Sequence, residues 1–446
     1  FCKIDNMEIT DEMIANVKTR MQEIINQNLE IRKVVMTKEE AEEFYSNEKT
    51  LRGIVQIDNT QKEGVSLYYC EDYFNYFFGV MPVTTAYTDV FDVIKYGDGF
   101  LVRYPSAEKP NELTNYKSNK KLLSTLEEYE DIHRVLQIDT LYKLNKEIKE
   151  GRTSNVILLS EALHEKKMAN IADDIAKRKN VKMVLIAGPS SSGKTTFAKR
   201  LGVELRLNGL KPVTISVDNY FVERVDNPKD ENGDYDFECL EAIDLELFNN
   251  HIKTLLDGGT IDVPTFDFKV GTKRYNGEKM HLEDDEILVI EGIHCLNDKL
   301  TSSIPMEQKY KIYISDLTVL NIDYCNRIST TDTRLIRRIV RDNNFRGYSA
   351  LHTLRTWASV NRGENKNIFP YQENCDVMFN SSLIYELSVL KKQALPLLQE
   401  ITNAEPEYAE AKRLVEFLKY FEEVDEGLIP QNSLLREFVG GSIFGD

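Results

Sequence analysis

The sequence has little of three things: clustered cysteine, basic charge and long apolar runs. Its six cysteines (Cys2, Cys70, Cys239, Cys295, Cys325, Cys375) are scattered, with no C-x-x-C pair. That excludes a disulfide framework and reads as reduced, cytosolic thiols. Lysine and arginine number 56 against 73 acids, a net charge of −17. Such a balance argues against broad binding to nucleic acid or anionic membrane, while leaving room for a local basic patch. No apolar run approaches the roughly 20 residues of a membrane span. An initiator Met is missing too: the chain opens at Phe1 and reads as a fragment, so an upstream signal or domain is not judged from it. What is there is 446 residues, 41% of them hydrophobic, a globular composition long enough for two or three domains.

The most informative stretch is Met183-Val-Leu-Ile-Ala-Gly188-Pro189-Ser190-Ser191-Ser192-Gly193-Lys194-Thr195-Thr196. An apolar strand runs into two glycines separated by four residues, then Lys and Thr, the G-x-x-x-x-G-K-[ST] phosphate loop. Backbone N–H groups between Gly188 and Thr196, Pro189 excepted, can cradle phosphate oxygens. Lys194 can reach the β- and γ-phosphates, and the Thr195 hydroxyl can bind Mg²⁺. A helix over about 194–208 turns its positive end to the anion.

Around this loop the chain has a readable order. A helix over 9–29 and a second after Thr37, with Glu40 completing a capping box, precede strand-like segments near 54–57, 65–69, 90–94 and 100–104. Helices over 122–144 and 156–179 connect to the second half, with a turn at 151–155. His164 on that connector reads as a surface or packing residue. Strands near 182–188, 211–217, 286–291, 310–315 and 375–380 alternate with helices, which predicts an α/β fold with a doubly wound parallel sheet covered on both faces. A tail helix begins after 404, and the apolar end from Leu428 reads as docked. The expected domains are 1–112 (α+β), 113–180 (helical connector), 181–402 (phosphate-loop kinase type) and 403–446 (helical tail).

Three further pieces carry chemistry. Asp218 follows the second strand of the sheet, where an acid can take a proton from a hydroxyl or reach a metal. Ile287-Leu-Val-Ile-Glu291 is a buried strand ending in an acid, the Walker B arrangement, and Glu291 suits Mg²⁺. Arg334, Arg337, Arg338 and Arg341 recur at i, i+3, i+4 and i+7, which predicts one cationic helix face able to grip phosphate.

Two family resemblances follow from these residues. Residues 188–401 resemble the uridine kinase and phosphoribulokinase family. They match in the loop, in Ser216-Val-Asp218-Asn-Tyr220-Phe221, Tyr235-Asp236-Phe237-Glu238 and Val263-Pro-Thr-Phe266-Asp-Phe268, in Ile290-Glu291-Gly292, and in the arginine helix. The resemblance implies Asp218 as general base for a ribose 5′-hydroxyl and Asp236, or Glu238 beside it, on the other ribose hydroxyls. It implies Phe266 and Phe268 flanking the base, with Tyr220 also on the substrate side, and Arg338, Arg341 and Arg346 as lid arginines. Lys194, Thr195, Glu291 and Asp218 would serve ATP and Mg²⁺. Departures are Gly271 near the place of the family's base-reading His, Tyr348 for a lid arginine, and an insertion around 322–331. The first quarter, about 9–105, resembles the editing-type domain of threonyl- and alanyl-tRNA synthetases. There Phe77 and Met81 stand where that family has a Cys and a His, which implies a scaffold without catalytic zinc.

The expectation is thus an ATP- and Mg²⁺-dependent, cytoplasmic, homo-oligomeric kinase acting on a small-molecule nucleoside, with more than one base accepted. It has neither nucleic acid nor membrane as partner. The rivals are a kinase for another sugar or phosphosugar hydroxyl, and an RNA-binding protein that uses the loop as a nucleotide sensor.

Overall fold

Thr10 precedes two acids, and a hydroxyl followed by acidic residues starts a helix. Helix α1 (Asp11–Asn26) begins there, with Thr10 Oγ1 accepting from the Met13 amide at 3.2 Å. The computed structural model describes residues 1–4, 6–46, 64–77, 81–105, 109–229, 233, 235–267, 270–318, 320–323 and 326–445, the side chains of residues 130 and 131 excepted. It divides into two units, Phe1–Ser118 and Asn119–Asp446.

In the first unit, strand β1 (Arg32–Thr37) leads into α2 (Lys38–Ser46). The capping box is reciprocal: the Thr37 amide donates to Glu40 Oε2 at 2.9 Å and the Glu40 amide to Thr37 Oγ1 at 3.2 Å. Strands β2 (Gly64–Cys70) and β3 (Tyr73–Tyr76) join β1 in an antiparallel sheet of order β1-β2-β3. Ala41 and Tyr45 of α2 pack on Leu67 and Tyr76. Strands β4 (Asp92–Tyr96) and β5 (Gly99–Arg103) form a hairpin, with Val93 packed beside Ile9 and Ile14. The strand expected near 54–57 lies outside the described residues. Phe77 is exposed and Met81 half-buried. Among the described residues no group of three or more His, Cys, Asp or Glu could hold a metal ion.

The second unit opens with α3 (Lys120–Leu136), which stops at Gln137 in the left-handed conformation (φ 59°). This corrects the single helix expected over 122–144: the chain restarts as α4 (Leu141–Lys149) and α5 (Thr153–Lys177). Then come β6 (Met183–Ala187), α6 (Lys194–Leu207), β7 (Lys211–Ser216) and α7 (Leu245–Leu256). An antiparallel hairpin, β8 (Thr260–Asp267) and β9 (Thr272–His281), precedes β10 (Glu286–Glu291) and β11 (Lys309–Ser315). Helices α8 (Thr330–Arg341) and α9 (Ala350–Asn367), strand β12 (Val377–Asn380), and α10 (Glu386–Gln399), α11 (Tyr408–Leu418) and α12 (Arg436–Val439) complete the order. No described helix is long and apolar enough to cross a membrane.

The sheet of this unit is parallel, in the order β12-β11-β6-β10-β7. Every residue of β6 is buried, because alternate residues serve two cores. Met183, Leu185 and Ala187 face Phe248 and Ile252 of α7; Val184 and Ile186 face Ile171 and Ile175 of α5 and Phe197 of α6. In the register, Glu291 stands beside Ile186 on one side and Ser216 on the other. That places the ends of β6, β7 and β10 side by side at the carboxyl edge, where open parallel sheets bind ligands. The tail after α11 is docked, with Leu434, Leu435 and Phe438 buried.

Candidate active site

The phosphate loop leaves β6 at Gly188. A Cβ there would stand 1.9 Å from the Ile314 carbonyl oxygen, so only glycine fits against β11. Ser191 takes a positive φ of 59°, a turn that a non-glycine residue adopts at some cost. The Ser191 and Ser192 hydroxyls are buried and have no hydrogen-bond partner among the described residues. A buried donor of this kind is costly, and an anion in the loop would satisfy it. Lys194 Nζ donates to the carbonyls of Gly188 (3.0 Å) and Pro189 (3.1 Å), so the lysine is folded over its own loop. Thr195 is exposed at the head of α6, while Thr196 is buried.

Asp218 sits in a single turn after β7, and Glu291 ends β10 next door. Ser216 Oγ donates to Glu291 Oε1 at 2.7 Å. Asp218 is exposed at the sheet edge, yet crowding by the surrounding chain raises its carboxyl pKa, against the opposing pull of Lys194, Arg346 and Arg341. Burial also raises Glu291, and the negative charge of Asp218 raises it further. Two carboxylates that repel each other beside a phosphate loop and an exposed threonine hydroxyl are the hard-oxygen donor set that Mg²⁺ takes.

The ribose-side acid separates into two residues with different surroundings. Asp236 Oδ1 accepts from the Glu238 amide at 3.1 Å and holds a turn. Glu238 is the one that feels the site: burial and Glu364 push its carboxyl up to about 7, against Arg338 and Lys194. Glu238 reaches this position because residue 363 of α9 is glycine; a Cβ there would stand 2.4 Å from Glu238 Cβ.

The arginine face expected on α8 is corrected by the structure, since its four members do not share an environment. Arg334 makes a bidentate pair with Glu364, at 2.6 and 2.9 Å, with side-chain exposures of 2% and 0%. Arg337 donates from Nε to Glu386 at 2.6 Å and lies 3.6 Å from Asp316, again in the interior. Both also donate into the loop, Arg334 to the Ser190 carbonyl and Arg337 to that of Ser191. Arg338 and Arg341 face the site. Arg338 donates to Ser190 Oγ at 2.9 Å, and both arginines pair with the buried Asp342, at 3.2 and 2.8 Å. Arg346 lies 3.7 Å from the same carboxylate and is among the cations acting on Asp218.

Two substrate-side expectations are also corrected. Tyr220 is fully buried, edge-on to Phe248, with its hydroxyl 3.1 Å from His251 Nδ1; it is a core residue. Phe266 is 6% exposed and packs 5.5 Å from Phe221 within the core, so it offers no open ring face. The exposed rings nearby are Tyr235 and Phe237, 5.9 Å apart. Phe268 lies outside the described residues. The Arg224 amide donates to the Gly271 carbonyl at 2.9 Å. Tyr348 stacks on His352. His164 is buried with Nε2 3.1 Å from the Ser382 carbonyl, a packing residue.

Three residues of this constellation escaped the sequence reading. Glu364 accepts both the Ser190 amide (2.8 Å) and Arg334. Asp342 tethers three arginines. Glu437, on the tail, accepts the Thr196 amide at 3.0 Å. Only Asp342 carried a signal, as an acid directly after Arg341.

Comparison with known proteins bears on the same half of the chain. Residues 183–386 match the model of the Phosphoribulokinase / Uridine kinase family. A uridine kinase of Bacillus subtilis is 27% identical over 222 residues, covering 49% of this chain and 96% of that protein. One of Ligilactobacillus salivarius is 30% identical over 187 residues, covering 42% and 78%. Among solved structures, a "Possible Uridine Kinase" of Bacillus stearothermophilus is 18% identical with a TM-score of 0.29, covering 48% of this chain and 100% of that one. A D-glycerate 3-kinase of Cryptococcus neoformans is 14% identical with a TM-score of 0.22, covering 60% and 87%.

Proposed function

Because the chain belongs to the Phosphoribulokinase / Uridine kinase family, we propose that it transfers the γ-phosphoryl group of ATP to the 5′-hydroxyl of a nucleoside. The observation that carries this reading is Asp218, an exposed acid in the turn after β7, next to the end of β10 and acted on by the cations Lys194, Arg341 and Arg346. A carboxylate so placed is suited to take the hydroxyl proton, while the cations stabilise charge on the transferring group. Lys194, the loop amides and the Ser191 and Ser192 hydroxyls would hold the phosphates; Arg338 and Arg341 would close on them from α8. Thr195, Glu291 and Asp218 would hold Mg²⁺, which when bound neutralises phosphate charge. Glu238 takes the ribose-side role in preference to Asp236, which serves its own turn. The relatives' name, uridine kinase, supplies the acceptor class.

A second acceptor, another sugar or phosphosugar hydroxyl, is favoured by the burial of Phe266, which removes one stacking face for a base. For residues 1–112 the proposal remains an editing-like α+β scaffold that lacks the hydrolytic site, since Phe77 and Met81 supply neither thiolate nor imidazole.

The test is turnover with Mg·ATP against uridine, cytidine, thymidine, purine nucleosides and sugar phosphates. The expected result is phosphorylation of more than one nucleoside, with discrimination below roughly 10⁴. Lys194→Ala should lower kcat by about two to three orders of magnitude with an unchanged melting curve. Unimpaired turnover in folded Lys194→Ala overturns the kinase reading; turnover of sugar phosphates alone selects the second acceptor.

A further inference from the structure

Helix α6 begins after Gly193, and its first intrahelical bond runs from the Phe197 amide to the Gly193 carbonyl. The amides of Lys194, Thr195 and Thr196 therefore belong to the set that no helix bond satisfies, which is the set an anion uses at a helix start. One of these amides already holds an anion from the chain itself: Glu437 Oε2 accepts the Thr196 N–H at 3.0 Å.

The carboxylate is held there by a built support. Leu434 and Phe438, on either side of it in the sequence, are 1% and 0% exposed. Phe438 lies under the Arg337 guanidinium, 5.1 Å from its ring centre. Arg436 donates to the carbonyls of Ile429 (2.6 Å) and Glu426 (2.9 Å), which fixes the turn that carries Glu437. Lys199 of α6 donates to the Phe444 carbonyl at 3.0 Å. Asn344, in the turn that carries Arg346, donates to the Phe438 carbonyl at 3.1 Å. The tail thus touches both the loop helix and the arginine segment. It lies outside residues 183–386, the part matched by the family model.

A carboxylate and a phosphate compete for one N–H donor and repel each other at this distance. The negative charge of Glu437 also acts on Glu291 and on Arg337, so it belongs to the charge set of the site. We propose that Glu437 is an internal competitor for the nucleotide phosphate: it caps the phosphate-loop helix at Thr196 and leaves when a nucleotide polyphosphate binds. This rests on the kinase reading of the loop. As the glutamate leaves, the short turn that carries it loosens, including the Phe438 carbonyl held by Asn344, while the buried Leu434 and Phe438 side chains keep the tail anchored. Because Asn344 joins the tail to the arginine segment, release of Glu437 is coupled to the position of Arg346.

Direct titration of the full chain with Mg·ADP tests this without reference to the acceptor. Glu437→Gln keeps the shape and weakens the competitor, so Mg·ADP should bind about 3- to 30-fold tighter than to wild type. Glu437→Ala should show the same sign, with melting curves confirming folded protein. On the unmodified chain, saturating Mg·ADP should speed amide hydrogen exchange in the peptide over 434–440 and slow it in the peptide over 190–198. Equal or weaker binding by Glu437→Gln, or unchanged exchange in 434–440, overturns the proposal and leaves the kinase reading standing. A wild-type chain that binds no Mg·ADP takes down both.

Discussion

The two ends of helix α8 carry the same residue type and do opposite things. Arg334 and Arg337 are interior cations locked to Glu364 and Glu386, while Arg338 and Arg341 face the phosphate loop on the leash of Asp342. The difference lies in what surrounds each guanidinium. A buried pair resists loss of one partner because the other charge is then stranded. A site-facing arginine, held by one carboxylate and open to the site at 12–15% exposure, keeps donors for a ligand. One helix therefore braces the loop with its first two arginines and serves the loop's ligand with the next two.

The largest expected effect breaks the first half of this comparison. Arg334→Ala leaves Glu364 buried without its partner and should destabilise the second unit by about 3–5 kcal/mol, read by denaturant unfolding. Unchanged unfolding with abolished turnover would make the two ends alike. Next, Arg341→Ala should lower kcat by about 10²–10³ while the melting temperature stays close to wild type. A stability loss as large as that of Arg334→Ala would erase the distinction from the other side.

Two smaller effects concern pH. Asp218 and Glu291 both have raised pKa values, so the fraction ionised grows as pH rises. Turnover should climb on the acid side by up to about tenfold per pH unit and then level off. Glu238 gives the smallest effect. Its folded pKa of about 7 exceeds the ordinary 4.5, so the folded state holds the proton more tightly. The resulting stabilisation is complete below the lower value and is lost as pH rises through the upper one. Glu238→Gln should therefore raise the melting temperature at pH 8 by roughly 2–4 °C and change it little at pH 4. Equal shifts at both pH values would show that Glu238 is not protonated by its surroundings.

The central sheet was legible because parallel strands buried on both faces read as unbroken apolar runs, as Met183–Ala187 and Ile287–Ile290 do. The loop was legible because its geometry demands glycine and lysine at fixed spacing. The β8–β9 hairpin was not, since Lys273-Arg274-Tyr275-Asn276-Gly277-Glu278-Lys279 is mostly exposed and polar. The arginine helix was legible as a period, but the period places side chains on a face and says nothing of what covers it. Tyr220 and Phe266 failed for the same reason: aromatic rings near a site look alike in sequence whether they line it or fill the core behind it. Glu364 and Glu437 reach the loop from distant elements, and no local pattern marks a carboxylate for an amide so far back along the chain.

The position of β6 also sets an order of events during synthesis. Its neighbours in the sheet are β10 and β11, so Met183 waits for Leu288 and Lys309 before its backbone has partners. A strand apolar at every position and open at both edges is what a growing chain must shield from other chains. The carboxylate that caps Thr196 arrives later still. A chain cut short between β12 and Glu437 therefore has every loop residue in place and no carboxylate on the Thr196 amide. Under the competition proposed for Glu437, that species would bind Mg·ADP more tightly than the full chain.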